Sequence, residues 1–409
     1  MTARHVTCCI AGGGPAGMVL GLLLARAGVE VAVLEKHADF LRDFRGDTIH
    51  PSTLELMAEL GVLEAFLTLP HQKAGQLNAF VNGEAFTVAD FSHLPTTCRY
   101  IAFMPQWDFL AFIAEQGRTY PTFHLHMQAE ATDLIEEAGR VAGLRAQTPD
   151  GPLEVRADLT VAADGRHSKL RARAGLTVEE LGAPMDVLWF ALSRPSDDPP
   201  QFMGRFEAGR IFIMLNRNEY WQCGYVIPKG TFADIRHRGI EAFRRGIVDS
   251  APFLGERPGE LRSWDDVSLL TVRVDRLNRW HRDGLLCIGD AAHAMSPVGG
   301  VGINLAIQDA VAAANILAAP LRERRLAQGD LRRVQRRREL PARLTQRMQI
   351  LVQNRIVTPV LGGSARIDPP LILRLMRRFP VLRRIPARLI GLGVRPEHIE
   401  TPNAFAKGD

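Results

Sequence analysis

Two stretches of this sequence combine residue types and spacings that could do chemistry. One runs from Gly289 to Ala310 and reads GDAAHAMSPVGGVGINLAIQDA. Asp290 follows directly on the apolar run LLCIG, where a strand-end carboxylate is placed to accept from sugar hydroxyls; His293 adds a titratable ring and Pro297 a rigid turn. Gly299, Gly300 and Gly302 then open an apolar helix, INLAIQDAVAAANIL. Glycines let backbone run close against another group, and a helix start carries unpaired N–H groups and the positive end of its dipole.

The other stretch lies at the N-terminus. His5 to Ala11 is a short β-rich run, followed by GGGPAG and the apolar helix MVLGLLLARAG, so that Gly12, Gly14 and Gly17 form G-x-G-x-x-G between a strand and a helix. Gly12 allows the tight turn, Gly14 lets N–H groups approach a pyrophosphate, and Gly17 lets the helix pack close to the strand. A second strand in VEVAVLEK ends at Glu35, 18 residues after Gly17, where an acid accepts both hydroxyls of a ribose that lacks a 2′-phosphate. Strand, fingerprint, helix, strand and acid in this order specify a dinucleotide site. No second G-x-G-x-x-G follows a strand, so one nucleotide domain is expected rather than two. TPDGPLEVRADLTVAADG reads as a hairpin turning at Asp150-Gly151 and a strand ending at Asp164-Gly165, with Ser168 and Arg171 one helical turn apart just after it.

In order and spacing these motifs resemble those of the group A flavoprotein monooxygenases, the aromatic hydroxylase family typified by p-hydroxybenzoate hydroxylase, over the chain up to about Pro320. The resemblance implies FAD as cofactor, with Gly12, Gly14, Pro15, Ala16, Gly17, Glu35 and Lys36 on its adenosine and pyrophosphate side. Asp164-Gly165 is similar to the family's DG motif, which implies contacts near the pyrophosphate and a part in NAD(P)H use. Gly289-Asp290 is similar to its GD motif, which implies that Asp290 holds a flavin ribose or ribityl hydroxyl. Gly300, Val301, Gly302 and Asn304 then lie along the ring. In DFRGDTIHPSTLELM, Arg45 stands where the family has an FAD-contacting arginine, and in MPQWDFLAFI, Gln106 stands where it often has a flavin-contacting polar residue. Pro297 resembles the proline beside the oxygen-reacting face, and with His293 it is the catalytic candidate. The implied reaction uses NADH or NADPH as a transient reductant and O2 added at flavin C4a; the resulting hydroperoxide delivers one oxygen to an aromatic or quinol-like small molecule. A reduced flavin carries negative charge at N1 and the C2 carbonyl, and the helix start after Gly302 is suited to stabilise it.

The substrate signals are weaker. From about Pro184 to Val274, runs such as RIFIMLN, YWQCGYVIP and VSLLTVRV alternate in the manner of an antiparallel sheet with one covered face. His50, Met214, Tyr220, Gln222 and Tyr225 are the candidate substrate residues, with Trp221 and Arg205 beside them; no residue stands out as a catalytic base. A flavin halogenase would carry W-x-W-x-I-P, but Cys223 and Tyr225 occupy the tryptophan positions ahead of Ile227-Pro228. A prenyl-lipid (geranylgeranyl-type) reductase with the same FAD domain would suit the Arg-rich apolar tail. A non-catalytic FAD-fold binding protein would have no need of a motif aimed at the reactive ring edge.

The elements that must position these groups imply an α/β fold. A Rossmann-like FAD-binding domain with a parallel sheet is expected over 1–75, 101–180 and 270–320. A mainly antiparallel substrate-binding sheet is inserted over 76–100 and 181–269, and a helical segment follows over 321–409. The composition, 46% hydrophobic and 23% charged, is that of a globular protein. Five cysteines without metal-ligand spacing argue against a disulfide framework or a metal site and fit a reduced, cytoplasmic setting. Cys8 and Cys9, adjacent on a strand, point to opposite faces, which excludes a redox pair. No apolar run reaches the roughly 20 residues of a spanning helix. The net charge of +5 is uneven: 18 Arg against four acids between Leu321 and Ile390 give +14 there and 5 − 14 = −9 elsewhere. Within it, PPLILRLMRRFPVLRRIPARLIGLG alternates arginines with apolar residues, a pattern for shielding an apolar substrate or for peripheral contact with an anionic membrane. Nucleic acid is not an expected partner, since only Phe379 offers a stacking surface there. A monomer or a homodimer is expected.

Overall fold

A run of residues buried on both faces sets the architecture. The computed structural model describes residues 2–41, 48–199, 203–363 and 368–406. The chain opens with β1 (Thr2–Ala11), α1 (Pro15–Arg26) and β2 (Val31–Leu34). Cys8, Cys9, Ile10 and Ala11 are fully buried, as are Val31, Ala32 and Val33. Such continuous apolar runs, without alternation, belong to parallel strands covered on both sides. β1 is the middle strand: β2 and then β3 (Phe123–His126) pair on one side, β4 (Gly151–Ala162) and then β5 (Leu285–Cys287) on the other, all parallel. A hairpin of Glu130–Glu137 and Arg140–Thr148 extends the sheet beside the first half of β4, with the expected turn between Thr148 and Gly151.

The strand order reverses between β1 and β4, and ligands of open parallel sheets bind outside the carboxyl ends at such a point. β1 runs into Gly12, β2 into Glu35, β4 into Asp164 and β5 into Gly289-Asp290, so the motifs gather at one edge.

Two long helices back this edge, α2 (Gly302–Arg322) and α3 (Gln328–Val352). The stretch Val298–Arg322 is apolar and long enough to cross a membrane, although Asn304, Gln308 and Asp309 break it into shorter apolar runs in the sequence. Its most apolar window is 72% buried within the protein, so it is a core helix.

The inserted sheet follows the order Ser268–Leu270, Met185–Ser193, Tyr220–Pro228, Arg210–Asn216, Met203–Glu207, Gln76–Val81, Glu84–Asp90. It is antiparallel except where Met203–Glu207 meets Gln76–Val81. One face is closed by the helix Ile240–Ser250, with Phe190, Phe212, Met214, Trp221, Cys223, Phe243 and Ile247 in a single cluster. The other face carries Val187, Trp189, Ile211, Ile213, Leu215 and Val226, and packs toward Val298, Phe103 and Ile390. Ile390 and Ala387 come from the C-terminal helix Arg384–Gly391, whose inner side is thus part of this interior. Ile385 of this helix, and Leu371 and Phe379 ahead of it in the chain, stand exposed.

Candidate functional site

The glycine turn after β1 has no room for side chains except at one point. Gly12 has a φ of 109°, and a Cβ there would lie 2.3 Å from the Ala163 carbonyl oxygen; a Cβ on Gly17 would lie 2.0 Å from that of Gly12. Helix, turn and the end of β4 are therefore in backbone contact. At Gly14 nothing lies within 4 Å of where a Cβ would be, and no side chain caps α1, so its first N–H groups are left facing open space. Glu35 is buried, with Oε2 accepting from Gly13 N at 2.9 Å and Oε1 from His37 N at 3.0 Å. Donors to both oxygens fix this carboxylate at the end of β2. Lys36 is exposed.

After β4, Asp164 Oδ2 accepts from Leu170 N at 3.2 Å, while Oδ1 is buried without a partner among the described residues. Burial raises this carboxyl above its ordinary range. An unsatisfied buried acceptor costs roughly 1–3 kcal/mol, which a ligand donor would relieve. Ser168 caps the next helix through Arg171 N at 3.0 Å. Arg171, 7% exposed, reaches both Asp275 oxygens at 3.3 Å, the Ala291 carbonyl at 3.2 Å and the Arg166 carbonyl at 2.7 Å. It ties the loop after β4 to the loop after β5. Arg166 in turn lies 3.4 Å from Asp290, whose side chain keeps 31% of its surface exposed.

His293 does not face this opening. Its ring is 1% exposed, packs on Trp280 at 4.9 Å, and its Nε2 is 2.6 Å from Asp309 Oδ2. Asp309 is fully buried; it also accepts from Gly289 N at 3.1 Å and from Arg338 Nε at 3.0 Å, and Arg338 continues to Glu397 at 3.0 Å. The histidine and arginine beside Asp309 hold its carboxyl below the ordinary range against desolvation. His293 is thus corrected from catalytic candidate to part of a sealed ionic network behind the Gly289-Asp290 loop.

Pro297, half-buried, leads into the turn Val298–Gly300. Gly300 has a φ of 63°, and a Cβ there would meet Thr48 Oγ1 at 2.7 Å. Thr48 Oγ1 donates to the Gly300 carbonyl at 2.9 Å. Val301 and Gly302 begin α2, which has neither a side-chain cap nor an acid in its first turn, leaving its positive end open to a negative partner. The Asn304 side chain is directed elsewhere: Oδ1 accepts from His50 N at 2.9 Å and Thr53 Oγ1 at 2.8 Å, and Nδ2 donates to the Thr48 carbonyl at 3.1 Å. Its expected contact with the ring is therefore corrected to support of the 48–53 segment. His50 is fully buried; burial lowers its pKa to about 4, and its Nδ1 donates to the Ile390 carbonyl at 2.7 Å. Arg45 lies outside the described residues. Gln106 is the half-buried first residue of the helix Gln106–Arg118.

The register of the inserted sheet divides the substrate candidates. Met214 pairs with Cys223 and Tyr225 with Phe212, all on the face closed by Ile240–Ser250, where Tyr225 meets Phe243 at 5.5 Å. Trp221 and Arg205 share that face; Arg205 donates to the Ser250 carbonyl at 2.8 Å. Met214 and Tyr225 are corrected accordingly, since alternation puts them on the side away from the Gly289–Gly302 segment. Gln222, buried and accepting from Arg217 Nε at 3.0 Å, and Tyr220 lie on the opposite face with Trp189, a residue that its sequence neighbourhood does not single out.

The FAD binding domain family model matches residues 5–348. The 6-methylpretetramide 4-monooxygenase of Streptomyces rimosus is 33% identical over 389 residues, 94% of this chain and 92% of that protein. This chain belongs to the FAD-dependent aromatic monooxygenases. Among solved structures, the p-nitrophenol 4-monooxygenase PnpA of Pseudomonas putida DLL-E4 superposes with a TM-score of 0.73 at 21% identity, over 96% of this chain and all of that one. The myxobacterial chondrochloren halogenase CndH does so with a TM-score of 0.73 at 18% identity, over 94% and 91%. Hydroxylase and halogenase thus share the fold, which alone does not choose the reaction. The monooxygenase's residues fit FAD: an uncapped α1 behind the open Gly14, a buried carboxylate at Glu35, an orphaned acceptor on Asp164, a half-open Asp290 and an uncapped α2.

Proposed function

We propose that this monooxygenase takes electrons from NADH or NADPH and places one oxygen of O2 on an aromatic or quinol-like small molecule. The balance is substrate-H, O2, NAD(P)H and a proton giving substrate-OH, water and NAD(P)+. FAD, when bound, supplies oxygen activation at its C4a carbon. The chain's own residues would bind it through Gly12 to Gly17, Glu35, Asp164 and Asp290, place the positive end of α2 against its ring, and exclude water with Pro297, Val298 and the apolar sheet face. The observation that carries this reading is the convergence of four motifs at one sheet edge, with Val298, just after Pro297, packed against the inner face of the inserted sheet. The names of the relatives, one a pretetramide and one a nitrophenol monooxygenase, support an aromatic substrate. Substrate-stimulated NAD(P)H oxidation across phenols, quinols and polycyclic aromatics tests it, with peroxide quantified; stimulation accompanied only by stoichiometric peroxide would refute hydroxylation.

The outer side of the C-terminal segment supports a second reading, peripheral contact with anionic lipid. Leu371, Phe379 and Ile385 are 71%, 51% and 60% exposed among arginines. Co-sedimentation with anionic but not neutral vesicles, lost on changing these three residues to Ser, is the expected result; equal recovery in the supernatant would refute it.

A further inference from the structure

We infer that Trp189 is an aromatic platform that selects fused, planar ring systems over single rings; this rests on the monooxygenase reading above. Two apolar clusters cover the inner face of the inserted sheet. One joins Ile101, Phe103, Leu215, Ala387 and Leu392, the other Val187, Ile211, Val226, Val272 and Val357. Trp189 and Ile213 pack against both, yet each remains only partly buried, Ile213 on the central strand of the seven and Trp189 on the strand next to the edge. The clusters therefore leave part of the Trp189 side chain accessible. Val298, the residue after Pro297, borders the same cluster as Trp189.

The sequence around Trp189 keeps the ring where it is. Trp189 pairs across the strands with Gly224, and a Cβ on Gly224 would lie 3.0–3.1 Å from the indole's six-membered ring. The glycine lets the indole lie down against the sheet, and any side chain there would push it off the sheet. The indole N–H has no hydrogen-bond partner among the described residues, so packing rather than polar anchoring fixes its plane. Neighbours on this face are Ile213 and Leu215 on one side and Val187 and Ala191 along its own strand, while Ser268, paired directly with Trp189 on the edge strand Ser268–Leu270, brings a hydroxyl to its other side. A flat apolar floor with an electron-rich ring at its centre favours aromatic overlap that grows with the number of fused rings. Gln222, paired with Ala191 on the strand Tyr220–Pro228, is a further polar group at the edge of the floor.

The test uses FAD-loaded enzyme and three probes: phenol, naphthol and hydroxyanthracene. Binding is read from the perturbation of the flavin spectrum, and KM and kcat from NAD(P)H consumption. The wild type should bind the probes more tightly as rings are added. Trp189→Leu should weaken hydroxyanthracene by about tenfold and phenol by less than about threefold, while Trp189→Phe should restore most of the difference. Gly224→Ala, which pushes on the ring from behind, should weaken the fused probes selectively as well. Equal losses for all three probes, or a wild type that does not prefer fused rings, would overturn the platform. Ring-dependent binding that depends on Trp189 without any NAD(P)H consumption would support the platform and sink the reaction assigned above.

Discussion

Removing the Arg338 side chain is the sharpest test of how the loop after β5 is held. Arg338 is 1% exposed and sits between Asp309, 0% exposed, and Glu397, 5% exposed, contacting both at 3.0 Å and the Arg395 carbonyl at 3.0 Å. Arg338→Met fills much of the volume and leaves two buried carboxylates short of a cation. Taking one partner from a buried pair costs about 3–5 kcal/mol. Asp309 keeps His293 and Gly289 N, and Glu397 keeps Arg337 at 2.8 Å, so the expected loss is near the lower end, about 3 kcal/mol. That is roughly two powers of ten in the folding equilibrium, readable in urea unfolding followed by circular dichroism. The sign with pH follows from Asp309, whose folded pKa lies below its ordinary 3.8. Its contribution is present above 3.8 and is lost as pH falls through the lower folded value, so wild type and variant should converge in strong acid. A variant within about 0.5 kcal/mol of the wild type at neutral pH would refute the reasoning, because surface substitutions produce changes of that size.

Other substitutions separate cofactor binding from folding and titration. Asp290→Ala should weaken FAD binding by tenfold or more while leaving the unfolding midpoint of the apoprotein in place, because among the described residues its side chain makes one polar contact, with Arg166 at 3.4 Å; unchanged FAD occupancy after dialysis would contradict its role. Gly17→Val should abolish FAD binding, since its Cβ would stand 2.0 Å from the Gly12 carbonyl oxygen, and a yellow, FAD-saturated variant would contradict the turn geometry. His50 has its pKa lowered from 6.5 to about 4, so the unfolded chain takes up its proton first and stability should fall by about 3 kcal/mol between those pH values. His50→Asn, which keeps a donor for the Ile390 carbonyl, should flatten that acid limb; an unchanged limb in urea titrations would show that another group titrates.

The parts of the site visible in the sequence are those that act through backbone. Gly12, Gly17 and the strand-end acids carry their reason in their immediate neighbours, because a turn and a helix start are local structures. Residues acting through long-range packing carry no such mark. Arg171 is marked only by its spacing from Ser168, and its partner Asp275, 104 residues away, is brought beside it by the fold. Trp189 sits in MDVLWFALS, an apolar run in which neither face is distinguished, so its parity is not readable. Met214 and Tyr225 fall among the substrate candidates for the same reason, and pairing with Cys223 and Phe212 places them on the other face. His293 shares a motif with Asp290, but three residues of a tight turn are enough to point it inward to Asp309.

The central claim is that bound FAD delivers oxygen from O2 to an aromatic substrate. The direct measurement is isotope incorporation: FAD-loaded enzyme, NAD(P)H and a substrate that stimulates its oxidation are incubated under isotopically labelled O2, and the product is weighed by mass spectrometry. One labelled oxygen per product molecule, with NAD(P)H consumed in equal amount, is the result expected. A protein that purifies colourless and takes up no FAD, or a product free of label with all consumed O2 recovered as peroxide, would contradict it.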